Sequence, residues 1–248
     1  MPTITALIPA RAGSKRIPGK NVKRFREHPL IGYTIDAALR SEIFEDVIVS
    51  TESEEYRSIA LEYGASVPFA RPSEMAGDRS PDIEWVRHAL ETLQAKGALT
   101  DAFAILRPTN PFRSPETICR AWEQFAQDGK ADSLRAVELC AQHPAKMWRI
   151  EGSRMSPVMQ NPDQQGVPWH SSQYPSLPTV YVQNASLEIA WSRVPLEQGS
   201  IAGTAIMPFV SQGFEGFDLN RQGDWIVAEH LVQSGQICLP ELKSRREV

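Results

Sequence analysis

Residues 4–21 read ITALIPARAGSKRIPGKN, and this stretch decides the fold. Its first six residues, Ile4–Pro9, are β-prone and apolar on both faces, which is typical of a buried central strand. Gly13, Pro18 and Gly19 exclude a helix from the segment that follows, so a loop is predicted there. A strand that runs into a glycine-bearing loop exposes backbone N–H groups that suit phosphate oxygens. This stretch therefore predicts a site for a phosphorylated ligand.

Strands and helices alternate beyond this stretch. Buried strands are predicted at 47–50 and 102–106, and apolar residues at helical intervals predict a helix over 30–40. Capping patterns predict three further helix starts, at the box 51–54, at Ser80–Pro81 and at Ser114–Pro115. The helix that the box 51–54 opens is expected to continue through Tyr63. The alternation predicts an α/β fold, a doubly wound, mostly parallel sheet with helices on both faces. Ligands of such sheets bind beyond the carboxyl ends of the strands, where the loop after Pro9 lies.

The composition changes near residue 139. Much of 139–179 is rich in Pro, Gln, Ser and aromatic residues and has no helical period. A structureless loop of that length is improbable inside a compact domain. We therefore expect a single domain over 1–248 in which 139–179 is an irregular, hairpin-containing dimerisation excursion. Regular structure resumes over 180–191, and a last helix is predicted over 223–233.

Composition excludes several classes of protein. The chain has 248 residues, of which 42% are apolar and 23% charged, close to the average of about 25% charged residues in soluble domains. No apolar run approaches the roughly 18 residues of a membrane span, and residues 1–10 lack a signal-like apolar core. Cys119, Cys140 and Cys238 form no Cys-x-x-Cys pair, so neither a disulfide framework nor a zinc site is predicted. We expect a cytoplasmic protein without membrane contact.

Positive charge is concentrated in the loop after the first strand. The net charge is −4, yet seven of the 26 basic residues lie within 11–26, where no acidic residue occurs. A basic island on an acidic protein predicts a compact anionic ligand, and a solvated basic loop is the simpler alternative. Nucleic acid is not expected, because the remaining acidic surface would repel a polyanion. The loop is not a P-loop, because five residues rather than four separate Gly13 from Gly19.

Six blocks along the chain resemble the acylneuraminate cytidylyltransferases, the CMP-sialic acid synthetases and their relatives. The blocks follow the family's order and span about residues 3–232. They are IPARAGSKRIPGKN (8–21), VSTESE (49–54), RPSEMAGD (71–78), LRPTNPFR (106–113), HPAK (143–146) and FDLN (217–220). The resemblance implies a nucleotide-diphospho-sugar transferase fold and a reaction that joins CTP to a nine-carbon, sialic-acid-like α-keto acid sugar. The sugar's anomeric hydroxyl would attack the α-phosphate and release pyrophosphate.

Two other functions stay open on the sequence alone. Residues 8–11 and 18–20 also match the CMP-Kdo synthetases, although the block 71–78 is closer to the acylneuraminate pattern. The second alternative is a nucleotide-binding module without catalytic activity. It is suggested by Asn220, which stands where the sialic acid members usually have Asp, and by the absence of the family's carboxylate-binding arginine near 177–178.

The resemblance also implies roles for residues that bind the nucleotide. Arg11 and Lys15 would hold the triphosphate, and Lys20 would stabilise the α-phosphate. The expected catalytic residues are Lys20, Arg11 and Asp218. The expected nucleotide-binding residues are Arg11, Ala12, Gly13, Ser14, Lys15, Lys20, Asn21, Arg71 and Asp78.

A triphosphate calls for a hard divalent cation with oxygen ligands, and Mg²⁺ is expected. By resemblance, Asp218 is a metal-binding carboxylate. Asn220 carries no charge, yet its amide oxygen can still ligate the ion. Asp224 could compensate for the missing carboxylate.

The expected sugar-binding residues are Arg107, Thr109, Lys146 and Asn184. Arg107 stands where sialic acid members carry Gln, which suggests a different substituent pattern or a direct contact with the sugar carboxylate. Lys146 matches a family lysine that reaches into the partner subunit's site, so a homodimer is expected. The altered pocket favours a legionaminate- or pseudaminate-type acid over N-acetylneuraminate.

Overall fold

The computed structural model describes residues 1–162 and 165–242. Its α-helices are α1 (Leu30–Arg40), α2 (Glu54–Glu62), α3 (Asp82–Ala95), α4 (Pro115–Asp128), α5 (Arg193–Gln198) and α6 (Gln222–Gln233). Its strands are β1 (Ile4–Pro9), β2 (Arg24–Phe25), β3 (His28–Pro29), β4 (Val47–Ser50), β5 (Ala102–Ile105), β6 (Ser133–Leu139), β7 (Trp148–Glu151), β8 (Arg154–Pro157), β9 (Tyr181–Trp191) and β10 (Ile206–Val210). No helix in these ranges is both long and apolar enough to cross a membrane.

Six of the strands form one sheet in the order β10-β6-β9-β5-β1-β4. β1 lies between β5 and the edge strand β4 and pairs in parallel with both. β9 runs antiparallel to β5, with Glu188 opposite Ile105. The predicted mostly parallel sheet is therefore confirmed, and it contains an antiparallel strand. The part of β9 that pairs with β5 is largely buried, and a buried strand reads the same in either direction, so the sequence pattern could not reveal this reversal.

Helices cover both faces of the sheet. Successive side chains of β1 point to opposite faces and pack against different helices. Ala6 and Ile8 belong to the apolar cluster that contains Ile35 of α1. Leu7, between them, belongs to a second cluster that contains Trp85 of α3. This arrangement confirms the doubly wound α/β class.

The three predicted helix starts had different outcomes. Ser114 caps α4 and accepts a hydrogen bond from the Thr117 backbone N–H, as predicted. In the box 51–54 the cap is Ser53 rather than Thr51, and α2 ends at Glu62. Ser80 is not a cap: its hydroxyl donates to the Glu74 carbonyl, and α3 begins two residues later.

Val137–Gln183 form a compact unit, and 1–136 with the chain from Asn184 onward form another. The predicted excursion 139–179 falls inside the smaller unit. Residues 163–164 of the excursion and 243–248 of the predicted domain lie outside the described residues. The smaller unit contains the hairpin β7–β8. His143 has a structural role there, since its Nδ1 accepts from the Ala145 N–H.

Candidate active site

A cavity of about 340 Å³ opens in the larger unit, where β1 and β5 end. It brings together nine of the residues predicted for the site: Arg11, Ser14, Lys20, Asn21, Arg71, Arg107, Thr109, Asp218 and Asn220. Pro9, Asp82 and Pro108 complete its lining. Residues that are more than 200 positions apart in the chain thus converge at the carboxyl ends of adjacent parallel strands, which is where ligands bind in this class of sheet.

The loop after β1 is held in place by side chains outside the cavity and within it. Asn21 is buried and donates its amide N–H to the Arg11 carbonyl over 3.1 Å. The backbone N–H of Ala12 donates to Glu52 Oε1 over 2.7 Å. Gly19 has a φ of +63°, a left-handed conformation in which a side chain is strained. The loop conformation therefore depends on a glycine and on two hydrogen bonds, one within the loop and one to the distant Glu52.

Asp78 lies between two of the predicted phosphate-binding cations. Arg11 Nη1 is 3.1 Å from Asp78 Oδ1, and Lys15 Nζ is 2.6 Å from Asp78 Oδ2. The hydrogen bond from Lys15 and the charges of Lys15 and Arg11 lower the pKa of Asp78. Asp78 was predicted to bind the nucleotide, and in this structure it contacts the cations that the phosphates would need.

Lys20 and Asp218 both line the cavity, and their charges interact. Lys20 Nζ donates to the Leu219 carbonyl over 2.7 Å and lies 3.4 Å from Asn220 Oδ1. The pKa of Lys20 is lowered, mainly by burial, and the charge of the nearby Asp218 carboxylate offsets part of this effect. The ammonium group is therefore partly desolvated, a state in which a charge interacts more strongly with an anion.

The carboxylate of Asp218 fits a metal ligand. Its Oδ2 accepts a hydrogen bond from the Asn220 amide nitrogen. Its Oδ1 is buried and has no hydrogen-bond partner among the described residues. Mg²⁺ is commonly held by one or two carboxylates together with substrate phosphates, so a single free carboxylate oxygen beside a phosphate pocket suits it.

Asn220 and Asp224 are both held by hydrogen bonds to nearby groups. The Asn220 amide is directed to Asp218 and to Lys20, so it orients both groups. Asp224 does not line the cavity. Its Oδ2 accepts the backbone N–H groups of Asn220 and Arg221 and caps α6. Asp224 Oδ2 therefore supports the backbone at 220–221, and the suggestion that Asp224 compensates for the missing carboxylate stays a prediction.

Arg71 is buried and holds the end of β4. It donates from Nη2 to the Ser50 carbonyl over 2.9 Å, and its guanidinium lies 4.8 Å from the centre of the Trp85 ring. Burial lowers its pKa to about 10. The predicted nucleotide-binding residue thus lines the cavity while anchoring the strand beside it.

Arg107 is surrounded by charged residues that sequence reasoning missed. Its Nη2 donates to Asp82 Oδ2 over 2.7 Å and to Glu188 Oε1 over 2.8 Å. Arg113, fully buried with its pKa lowered to about 9, donates to the Arg107 carbonyl. A sequence signal for Glu188 existed, because it is an acidic residue within the apolar stretch 180–191.

Three other predicted sugar-binding residues are placed differently. Thr109 lines the cavity, and its carbonyl accepts from the Leu219 N–H over 2.9 Å. Asn184 is not among the lining residues and donates to Ser211 Oγ over 3.0 Å. Lys146 belongs to the smaller unit, where its Nζ donates to the His170 carbonyl over 2.8 Å.

Known proteins resemble this chain along most of its length. The sequence pattern of the family described as Cytidylyltransferase matches residues 5–157. The chain is 35% identical over 239 residues to the CMP-N,N'-diacetyllegionaminic acid synthase of Legionella pneumophila, covering 95% of this chain and 99% of that protein. It is 40% identical over 132 residues to the pseudaminic acid cytidylyltransferase of Campylobacter jejuni, covering 53% of this chain and 57% of that protein.

Solved structures with little sequence identity share the fold. The CMP:2-keto-3-deoxy-manno-octonic acid synthetase complexed with CTP has a TM-score of 0.69, covering 94% of this chain and 99% of that one at 13% identity. The 4-diphosphocytidyl-2C-methyl-D-erythritol synthase of Anaerococcus prevotii has a TM-score of 0.62 over the same shares. The expected nucleotide-diphospho-sugar transferase fold is confirmed. Given the family pattern and the relative that aligns over almost its whole length, this chain belongs to the cytidylyltransferase family.

Proposed function

We propose that this enzyme transfers the cytidylyl group of CTP to the anomeric hydroxyl of a nine-carbon α-keto acid sugar and releases pyrophosphate. The observation that carries the proposal is the convergence of Arg11, Lys20 and Asp218 on one cavity at the carboxyl ends of β1 and β5. The legionaminic and pseudaminic acid relatives support an acceptor of that type. The Kdo alternative has the weaker support, a structural likeness at 13% identity.

The proposed reaction forms a bond between the sugar oxygen and the α-phosphorus while the bond to pyrophosphate breaks. The hydroxyl proton passes from the sugar oxygen to solvent water, and negative charge accumulates on phosphate oxygens. Lys20 stabilises that charge, and Arg11 and Lys15 bind the triphosphate. Asp218 would hold Mg²⁺, which neutralises phosphate charge when bound. In this mechanism the enzyme accelerates the reaction by positioning the substrates and by electrostatic stabilisation, and it forms no covalent intermediate.

The experiment that tests this function measures pyrophosphate release with CTP, Mg²⁺ and a panel of acids. The panel contains legionaminic, pseudaminic, N-acetylneuraminic and Kdo acids. We expect turnover with a legionaminate- or pseudaminate-type acid. Turnover with Kdo alone would support the Kdo alternative, and CTP binding without turnover on any acid would support the inactive module.

We also propose that two copies of the chain associate through the smaller unit. Its hairpin exposes Ile150 (76%) and Met155 (59%), large apolar side chains that a second copy would cover. Cytoplasmic location belongs to the same proposal, because CTP is available there and the cysteines are free thiols.

The double variant Ile150→Asp, Met155→Asp is expected to be monomeric, because it places charge on the proposed contact. Light scattering checks this: the unaltered protein should have about twice the 27.7 kDa of one chain. The control is Ile226→Asp on α6 of the larger unit, a residue that is 62% exposed and should leave the dimer intact. A monomeric unaltered protein, or a dimeric double variant, would contradict the proposal.

Alanine at Gly13 and at Gly19 should have different effects. Gly19→Ala is expected to lower the free energy of unfolding by about 1 kcal/mol, because its φ is positive. A Cβ at Gly13 meets nothing within 4 Å, so the Gly13→Ala variant should keep its stability. It should bind CTP more weakly, because the added methyl group would hinder the close approach of the loop backbone to a phosphate group. Denaturant unfolding and CTP titration check the pair. Unchanged CTP affinity in Gly13→Ala would remove Gly13 from the proposed phosphate contact.

A further inference from the structure

Four side chains of alternating charge form a row, and two of them, Arg107 and Asp82, line the cavity. Arg135 on β6, Glu188 on β9, Arg107 just after β5 and Asp82 at the start of α3 follow one another, and β6, β9 and β5 are neighbours in the sheet. Glu188 forms an ion pair with Arg135 through Oε2 and with Arg107 through Oε1. Asp82 completes the row from the other side of Arg107.

Burial changes along the row. The Glu188 side chain is 4% exposed, whereas that of Asp82 is 40% exposed and lines the cavity together with Arg107. Removing a carboxylate from water is costly, and apolar residues of similar size often stabilise a protein as well as a buried ion pair does. The buried charge of Glu188 is therefore better explained by what it does to Arg107 than by its contribution to stability.

The hydrogen bonds of Arg107 leave part of its guanidinium available. Its side-chain hydrogen bonds to Asp82 and Glu188 both come from Nη2, which has two protons. The donors on Nε and Nη1 form no side-chain hydrogen bond with the residues described. Because Arg107 lines the cavity, its orientation decides where these donors meet a ligand.

We propose that Glu188 is a positioning residue that determines acceptor specificity. By holding Nη2, it directs the remaining donors of Arg107 toward the carboxylate of the acceptor sugar, and Asp82 supports the same orientation. Charge-assisted bonds from arginine to a carboxylate are strong and depend on geometry. This inference rests on the proposed function, because it assumes an acidic acceptor.

The test is Glu188→Gln, which keeps the size of the side chain and removes its charge. We expect the KM for the acceptor acid to rise at least about tenfold, while the KM for CTP changes less than about twofold. Glu188→Asp, which retains the charge, should recover part of the loss. Glu197→Gln, an exposed glutamate on α5, is the control and should match the unaltered protein.

A second variant covers the case in which Glu188→Gln does not fold. Asp82→Asn removes the partly exposed partner of the same Nη2, and it should raise the KM for the acceptor about threefold or more with the KM for CTP unchanged. Equal changes in both constants, or a lower melting temperature without any change in KM, would overturn the inference. An unaltered protein that turns over no acid would instead refute the proposed function.

Discussion

We expect the turnover of Lys20→Ala to fall about 10²–10³-fold, whereas the dissociation constant of CTP should rise only about threefold. The charge of Lys20 matters most as negative charge develops on the phosphate oxygens in the transition state. Its ammonium group is partly desolvated and held by the Leu219 carbonyl, so it does not need to reorganise during the reaction. An interaction that strengthens in the transition state affects kcat more than ground-state binding.

Single-turnover kinetics and CTP titration separate these two effects. Lys23→Ala is the matched control, since Lys23 is an exposed lysine three residues along the chain. That variant should keep turnover within about threefold of the unaltered protein. A parallel loss of turnover and CTP affinity in Lys20→Ala would mean that Lys20 contributes only to substrate binding.

Asp218→Asn should reduce turnover at least about 100-fold and increase the Mg²⁺ concentration needed for half-maximal rate. The substitution removes the charge of the carboxylate whose Oδ1 is buried without a hydrogen-bond partner among the described residues. It also removes an interaction that raises the pKa of Lys20. The protonated form of Lys20 should then be lost at a lower pH, so the alkaline limb of the pH–rate profile should move toward acid.

Mg²⁺ titrations at fixed CTP and a pH–rate profile check these effects. Glu123→Gln is the control, because Glu123 is exposed on α4 and its loss also removes one negative charge. If Asp218→Asn kept the same Mg²⁺ requirement and the same alkaline limb, Asp218 would be neither a metal ligand nor a modulator of Lys20.

Local patterns were sufficient for several elements of the fold. The strand over 4–9, the helix over 30–40 and the cap at Ser114 follow from side-chain periodicity, β-propensity and capping chemistry within a few residues. The position of the cavity also followed, because parallel strands place their carboxyl ends at one edge. The sequence by itself therefore determined the fold class, the family resemblance and the basic loop.

The tertiary structure alone decided which charges meet. Glu188 is 81 residues from Arg107, and Asp78 is separated from Arg11 by more than 60 positions, so no short-range pattern relates either pair. The reversed direction of β9, which carries Glu188, is likewise set by strand pairing rather than by its own composition. Ion pairs form wherever folding brings opposite charges within a few ångströms, and only the three-dimensional packing of distant segments specifies those distances.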